Sequence, residues 1–121
     1  MTARILAIED HEDNRRILRD LLRSAGYEVI EAVTGQEGIT LAESSCPDLI
    51  LMDIQLPDVD GYEATRRIKA NPALRAIPII AVTSYALSGD DVKALQAGCD
   101  AYVTKPYSPR ALLAKIREYL R

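Results

Sequence analysis

The sequence predicts an α/β protein in which helices cover both faces of a five-stranded parallel sheet. Two observations predict this class. Short apolar segments rich in β-forming residues alternate five times with longer segments whose apolar residues recur at helical spacing. Glycine or proline residues separate many of these segments, and no repeat or low-complexity linker interrupts them. Chains that alternate in this way fold as parallel sheets with crossover helices.

The first two strand–helix units lie at the N-terminus. Arg4–Glu9 is short, apolar and β-rich, which predicts the first strand. Asp13–Ala25 has a helical apolar period, and Gly26 follows it as a C-terminal cap. Tyr27–Val33 alternates and predicts the second strand, and Gly35–Glu43 predicts a weaker helix. The apolar stripe of the first helix consists of Ile17, Leu18, Leu21, Leu22 and Ala25.

The third unit and the fourth strand follow the same rule. Asp48–Met52 is nearly all apolar, as a strand buried on both faces should be. A loop over residues 54–61 leads to a helix over Tyr62–Ala70, and Asn71-Pro72 ends that helix. Pro78–Val82 predicts the fourth strand.

The remaining segments complete one domain over residues 1–121, and the five units suit the flavodoxin-like strand order 2-1-3-4-5. Ser88–Ala97 predicts a fourth helix of low stability, because its only large apolar residues are Val92 and Leu95. Asp100–Thr104 predicts the fifth strand. Ser108 as N-cap and Pro109 at the first helical position start the fifth helix. Its buried stripe is expected at Leu112, Leu113, Ile116 and Leu120.

Composition excludes several classes of protein. The chain has 121 residues, of which 48% are apolar and 27% charged, so wholesale disorder is excluded. A net charge of −3 argues against nucleic-acid binding driven by bulk electrostatics. No apolar run approaches the ~18–20 residues of a transmembrane helix, and no signal peptide is recognisable, so a cytoplasmic location is expected. Cys46 and Cys99 lack metal-binding neighbours and are expected to be small buried hydrophobic residues.

Ionisable and hydroxyl side chains follow four of the five predicted strands. Ligands of open parallel sheets bind beyond the carboxyl ends of the strands. In this strand order the first, third, fourth and fifth strands are neighbours, so their terminal residues should converge on one pocket. These residues are Glu9 and Asp10, Asp53, Thr83 and Lys105.

Three converging carboxylates repel one another unless a cation lies among them. Ligation by oxygen alone indicates Mg²⁺, with Mn²⁺ or Ca²⁺ as alternatives. A carboxylate beside such a cation can attack phosphorus and form an aspartyl-phosphate. The cation, the Lys105 ammonium and the Thr83 hydroxyl would then each stabilise one phosphoryl oxygen.

The four strand ends resemble a known family in type, order and spacing. Their motifs are separated by 43 residues from Asp10 to Asp53, 30 to Thr83 and 22 to Lys105. The sequence resembles the CheY-like receiver domains of two-component response regulators along its whole length. The motifs that carry the resemblance are Ile8-Glu9-Asp10, Leu51-Met52-Asp53, Ala81-Val82-Thr83-Ser84 and Val103-Thr104-Lys105-Pro106.

The resemblance implies a role for each matched residue. Asp53 would be the phosphoacceptor and a Mg²⁺ ligand. Asp10 would bind Mg²⁺ directly, Glu9 would bind it through water, and the backbone carbonyl of Gln55 would be a further ligand. Glu9 departs from the Asp that is common at this position. Thr83 would be both the phosphoryl-stabilising hydroxyl and the switch hydroxyl.

Further residues would complete this machinery. Tyr102 would be the switch aromatic, and Lys105-Pro106 a cis peptide that aims the ammonium. Gln55 and Tyr85 would tune the lifetime of the phosphate by flanking the path of water, with Tyr85 as a shield. His11 is interpreted as an exposed loop residue, and the arginines of the first helix as a solvated face near the phosphodonor: Arg15, Arg16 and Arg19.

The resemblance also implies partners. The phosphoryl group would come from a histidine kinase or a histidine phosphotransfer protein. The signal would leave by protein contact through the face of the fourth helix, fifth strand and fifth helix, with no nucleic-acid or membrane partner. The chain is expected to act without an effector domain, as a monomer or weak homodimer. It is similar to single-domain regulators of the DivK cell-division type in Asp13-Asn14-Arg15-Arg16 and in residues 81–90.

Two other classes remain open at this point. One is a Mg²⁺-dependent phosphohydrolase with Asp53 as nucleophile. The sequence argues against it, because the residue two positions after Asp53 is not a second acid that could protonate a leaving group. The other is a binding module, either a flavin binder or an unphosphorylated pseudo-receiver. The acidic first loop, Asp10-His11-Glu12-Asp13, would repel a flavin phosphate.

Overall fold

A computed structural model describes residues 2–83 and 90–120 of the chain. In this part of the chain, strands and helices alternate from one end to the other. They are β1 (Arg4–Ile8), α1 (Glu12–Ser24), β2 (Glu28–Ala32), α2 (Gly35–Ser45), β3 (Leu49–Asp53), α3 (Gly61–Ala70), β4 (Ile79–Thr83), α4 (Asp90–Ala97), β5 (Ala101–Thr104) and α5 (Pro109–Tyr119).

The strands form one parallel sheet in the order β2-β1-β3-β4-β5, which confirms the predicted fold class. The register keeps the carboxyl ends level. Ile8 pairs with Met52, Asp53 with Val82, and Thr83 with Thr104. The residues that end or follow these strands therefore reach the same edge of the sheet.

The core lies on both faces of the sheet because alternate strand residues point in opposite directions. On one face, Leu6 and Ile8 of β1 pack with buried residues of α2 and α3 such as Ala42 and Ile68. On the other face, Ile5 packs with residues of α1 and α5. The predicted stripes are buried at Leu18, Leu22, Leu112 and Ile116.

One side chain of the predicted apolar stripes is exposed instead of buried: Ile17 of α1 is 56% exposed. Val92 and Leu95, the large apolar residues of the fourth helix, are exposed as well. Helical spacing identifies the apolar face of a helix, but the width of its buried part depends on what packs against it. Among the described residues, helix and strand ends differ from the predicted ones by one or two residues, as is usual for frayed ends. The predicted start of the fourth helix at Ser88 lies outside the described residues.

Cys46 is a further correction, since it is exposed while Cys99 is buried as predicted. Cys46 is the C-cap of α2 and adopts a left-handed backbone conformation with φ of 45°. A residue in that position leaves the helix and turns toward solvent. Within the described ranges, no helix is long and apolar enough to cross a membrane.

The loop after β3 is attached to the start of α2. The Asp58 carboxylate accepts hydrogen bonds from the backbone amides of Gly35 (2.8 Å) and Gln36 (3.0 Å). These bonds satisfy donors that the first turn of a helix leaves free, and they lower the pKa of Asp58, the amide of Gln36 contributing most. Because Asp58 follows Asp53 by five residues, the attachment restrains the loop that borders the strand ends.

Candidate functional site

The centre of the candidate site is a buried group of opposite charges from three strands. Glu9 follows β1, Asp53 ends β3 and Lys105 follows β5. Glu9 and Asp53 are only 2% and 5% exposed. Lys105 Nζ lies 3.1 Å from Glu9 Oε1 and 3.7 Å from Asp53 Oδ1, so one ammonium faces two buried carboxyl groups.

Asp10 completes a group of three acids. Carboxylate oxygens of Glu9, Asp10 and Asp53 all lie within 4.8 Å of one another, and Asp10 is exposed to solvent. An all-oxygen donor set with one solvent-facing member fits a hard divalent cation that keeps part of its water shell. The three strand-end acids predicted to converge do converge.

The two buried carboxyl groups titrate very differently. Burial, a hydrogen bond with Glu9 and the charge of Glu9 raise the pKa of Asp53 from 3.8 to about 7, although Lys105 acts to lower it. Burial also acts to raise the pKa of Glu9, but hydrogen bonds from Asp53, the His11 amide and Lys105 outweigh it and lower the pKa. Asp53 is thus the carboxyl group with the higher pKa of the two, because one ammonium does not balance both carboxylates.

The loops that follow β1 and β3 orient these carboxyl groups. The His11 amide donates to Glu9 Oε2 at 3.1 Å, and the Gln55 amide donates to Asp53 Oδ1 at 3.2 Å. Each bond spans two residues, so each acid is held by the turn that directly follows it. The side chain of Gln55 is exposed, and His11 is exposed as expected.

The remaining predicted site residues lie at the ends of β4 and β5. Thr83 is buried at the end of β4, and its carbonyl accepts a 2.7 Å hydrogen bond from the Lys105 amide. The Lys105–Pro106 peptide bond is cis, as expected. Tyr102 is 36% exposed on β5. Tyr85, the proposed shield, lies outside the described residues, as does Ser84.

Sequence reasoning missed the position of Arg15, whose interpretation as part of a solvated face is wrong. Its Nη1 donates to the carbonyl oxygens of Glu9 (3.1 Å) and Asp10 (3.4 Å). Its Nε lies 3.4 Å from Glu31 on β2, and Arg19 contacts the same carboxylate. The available signal was the place of Arg15 in the first turn of the helix that follows the acidic pair. Arg16 is exposed and pairs with Asp13, three residues before it on the same helix.

A groove of about 410 Å³ borders the site between α1 and the start of α5. Glu9 and Lys105 are the charged residues among those that line it. The exposed side chain of Ile17 lines it together with Pro106 and Tyr107. Burial and the charge of Glu9 raise the pKa of Tyr107, so its phenol stays neutral beside the acids.

Fold and site together define a doubly wound α/β protein with a cluster of three carboxylates at the carboxyl ends of its central strands. Comparison with known proteins gives the family. Residues 5–117 match the response regulator receiver domain. The chain is 46% identical to the polar-differentiation response regulator DivK of Brucella ovis, over 99% of this chain and 98% of that protein. DivK of Brucella anthropi is 45% identical with the same coverage.

Solved structures agree with this similarity. The receiver domain of a sensor histidine kinase from Pseudomonas aeruginosa superimposes with a TM-score of 0.94 at 39% identity. The superposition covers 99% of this chain and 98% of that one, and the Pseudomonas structure has a magnesium ion coordinated in its active site cleft. The chemotaxis protein CheY4 of Vibrio cholerae gives 0.93 at 26% identity and covers 99% of this chain and all of its own.

This chain belongs to the response regulator receiver domain family. It is a phosphoacceptor signalling switch of two-component systems, with a CheY-like fold. The assignment confirms the resemblance to receivers of the DivK type and favours the switch over the hydrolase and flavin-binding alternatives.

Proposed function

We propose that Asp53 accepts a phosphoryl group from a phosphohistidine of a histidine kinase or a histidine phosphotransfer protein. The observation that carries the proposal is the buried position of Asp53 at the end of the central strand, with Lys105 Nζ 3.7 Å from its Oδ1. A carboxylate oxygen attacks phosphorus, an O–P bond forms, and the P–N bond to the donor breaks. The electron pair of that bond stays on the imidazole, which takes up a proton.

Glu9, Asp10 and Asp53 are the residues that would hold Mg²⁺, with Mn²⁺ as a substitute and the backbone carbonyl of Gln55 as a further ligand. The clustering of their oxygens within 4.8 Å supports this set. The raised pKa of Asp53 supports it too, because the described side chains leave the acids short of positive charge. The bound cation supplies charge neutralisation for Asp53 and for the incoming phosphoryl group.

Lys105 and Thr83 would stabilise the phosphoryl oxygens that the cation leaves free. Lys105 Nζ lies 3.7 Å from Asp53 Oδ1, and Thr83 is buried at the end of the strand next to β3. Movement of Thr83 toward the phosphoryl group would carry the signal to Tyr102 on β5. Gln55, with its exposed side chain, and Tyr85 would set how fast water removes the phosphate.

The output would be a contact with a downstream protein through α4, β5 and α5, rather than binding to nucleic acid or membrane. Val92, Leu95 and Tyr102 support this face, because all three are exposed large hydrophobic side chains on α4 and β5. Because α4 and β5 are in contact, these exposed apolar side chains suit a protein contact at this face. The protein would act in the cytoplasm as a monomer or weak homodimer.

Intact mass after incubation with acetyl phosphate tests the phosphoacceptor chemistry. The wild-type protein should gain one phosphoryl group, about 80 Da, only when Mg²⁺ is present. Asp53→Asn should gain nothing, whereas Asp20→Asn, which removes an exposed α1 carboxylate, should behave as wild type. A wild-type protein that stays unmodified with both acetyl phosphate and a phosphorylated donor protein would identify a pseudo-receiver.

A further inference from the structure

Arg15 connects α1 to the acidic turn that follows β1. Its Nη1 donates to two successive backbone carbonyls, 3.1 Å to Glu9 and 3.4 Å to Asp10. Both residues belong to the three-acid cluster. The contact is to the backbone, so Arg15 does not neutralise the acids directly but fixes the turn from which their side chains extend.

Arg15 is itself held in place by β2. Its Nε lies 3.4 Å from Glu31 Oε1, and Arg19 Nη1 lies 3.3 Å from the same oxygen. The side chain of Arg15 is 18% exposed, compared with 59% for the adjacent Arg16. A guanidinium fixed by a partly buried carboxylate loses less entropy when it binds the turn, because its orientation is already set.

We propose that Arg15 is a positioning residue for divalent-cation binding, acting by presetting the backbone of Glu9 and Asp10. This inference rests on the proposed function, since the cation is the one that phosphotransfer to Asp53 would use. Partners that orient metal ligands contribute to metal affinity although they do not touch the metal. Arg15 occupies that position for two of the three acids.

The charge of Arg15 acts on cation affinity in the opposite direction to its positioning effect. A guanidinium near the acids adds positive charge, which by itself would weaken cation binding. Glu31 offsets part of that charge, because both Arg15 and Arg19 contact it. Loss of Arg15 would therefore tighten Mg²⁺ binding if its charge dominated, and would weaken it if positioning dominates. The proposal requires weakening.

The test compares Arg15→Met with Arg19→Met, a matched control that removes the other guanidinium on Glu31 but no contact to the acidic turn. Two quantities are measured on the unphosphorylated protein. The Mg²⁺ dissociation constant comes from calorimetric titration. The exchange rate of the His11 amide, which donates to Glu9 Oε2, comes from metal-free NMR samples.

Arg15→Met should weaken Mg²⁺ binding about tenfold and accelerate exchange of the His11 amide, while Arg19→Met should leave both within about twofold of wild type. Arg15→Lys, which keeps the charge and can reach a carbonyl, should recover part of both losses. If Arg15→Met does not fold, Arg15→Lys compared with Arg19→Lys provides the same comparison at smaller amplitude.

Unchanged or tighter Mg²⁺ binding in Arg15→Met would overturn the proposal. Weaker binding with an unchanged His11 amide would also overturn it, because the effect would then not pass through the turn. Failure of the wild-type protein to bind Mg²⁺ would count against the proposed function. The exchange measurement needs no metal and would still report whether Arg15 holds the turn.

Discussion

Asp53 and Glu9 are two carboxyl groups in one buried site with opposite pKa shifts. The pKa of Asp53 is raised to about 7, and that of Glu9 is lowered. In the absence of a divalent cation, the folded protein therefore keeps a proton on Asp53 between about pH 4 and pH 7, where the unfolded chain has released it. The folded state binds more protons in this window, so this group's contribution to stability falls as pH rises through it.

Asp53→Asn should remove this pH dependence. With a chelator present at pH 8, the free energy of unfolding of the variant should exceed that of wild type by about 2 kcal/mol. Each unit of raised pKa corresponds to about 1.4 kcal/mol, and part of the shift is shared with Glu9. At pH 5 the difference should be much smaller. Urea unfolding at both pH values measures it, and a wild-type protein that gains stability relative to Asp53→Asn between pH 5 and pH 8 would contradict it.

Lys105 contacts both carboxyl groups, so its loss should separate cation binding from phosphotransfer. Lys105→Met removes an ammonium that lies 3.1 Å from Glu9 and 3.7 Å from Asp53. This ammonium competes with the cation for the negative charge of the two carboxylates. Mg²⁺ binding should be retained or tightened, by about threefold. Phosphorylation by acetyl phosphate should slow by at least about tenfold, since a donor to the phosphoryl oxygen is lost.

Calorimetric titration and the rate of mass gain measure these two effects separately. Lys115→Met, which removes an α5 lysine paired with Glu118, serves as the matched control and should change neither. Weaker Mg²⁺ binding in Lys105→Met would show that the ammonium organises the acids rather than competing for them.

At the scale of elements, the start of α3 is packed directly against the end of β3. The Gly61 amide donates to the Ile54 carbonyl at 2.9 Å. A Cβ at Gly61 would lie 2.5 Å from the carbonyl oxygen of Asp53 and 2.6 Å from Ile54 Cα. Both are backbone atoms, which cannot move aside as a side chain can, so only glycine allows this approach.

Gly61→Ala should therefore disturb both the fold and the site. We expect a loss of about 2–3 kcal/mol in the free energy of unfolding together with weaker Mg²⁺ binding, because the strand end that carries Asp53 must shift. Gly26→Ala is the control: its Cβ would meet nothing within 4 Å, but its φ of +93° is strained for alanine. It should cost about 1 kcal/mol and leave Mg²⁺ binding unchanged.

At the scale of the whole molecule, a switch requires that phosphorylation at one edge of the sheet alters a distant surface. The predicted path runs from Thr83 through β5 to the face formed by α4, β5 and α5. Here α4 is a short helix whose large apolar side chains Val92 and Leu95 are exposed and whose buried side chains include the small Ala94 and Ala97, so little apolar area holds it in place. By contrast, α2 is capped by Thr34 and attached to Asp58.

Phosphorylation should therefore change amide hydrogen exchange over residues 90–104 and leave α2 unchanged. Mass spectrometry of peptides from the wild-type protein, with and without acetyl phosphate and Mg²⁺, measures the change. Asp53→Asn under the same conditions should show none. Equal exchange over residues 90–104 in both states, despite complete phosphorylation, would show that the signal leaves by another face.

The sequence by itself determined the fold class, the strand order and the set of residues that meet at the strand ends. Strand and helix periodicities are local properties, and a parallel sheet brings the carboxyl ends of its strands to one edge whatever the details of packing. For this reason Glu9, Asp10, Asp53 and Lys105 could be grouped before any distance was known. Their individual roles remain proposals.

Only the tertiary structure decided which side chains are buried, which of the buried acids has the raised pKa and what holds the acids in place. Ile17 and Cys46 are exposed because packing partners, not periodicity, set the limits of the core. The opposite pKa shifts of Glu9 and Asp53 depend on burial and on distances to Lys105. The place of Arg15 in the first turn of α1 brings it near the acidic turn, but its contact with Glu31 depends on α1 packing beside β2, which no local pattern encodes.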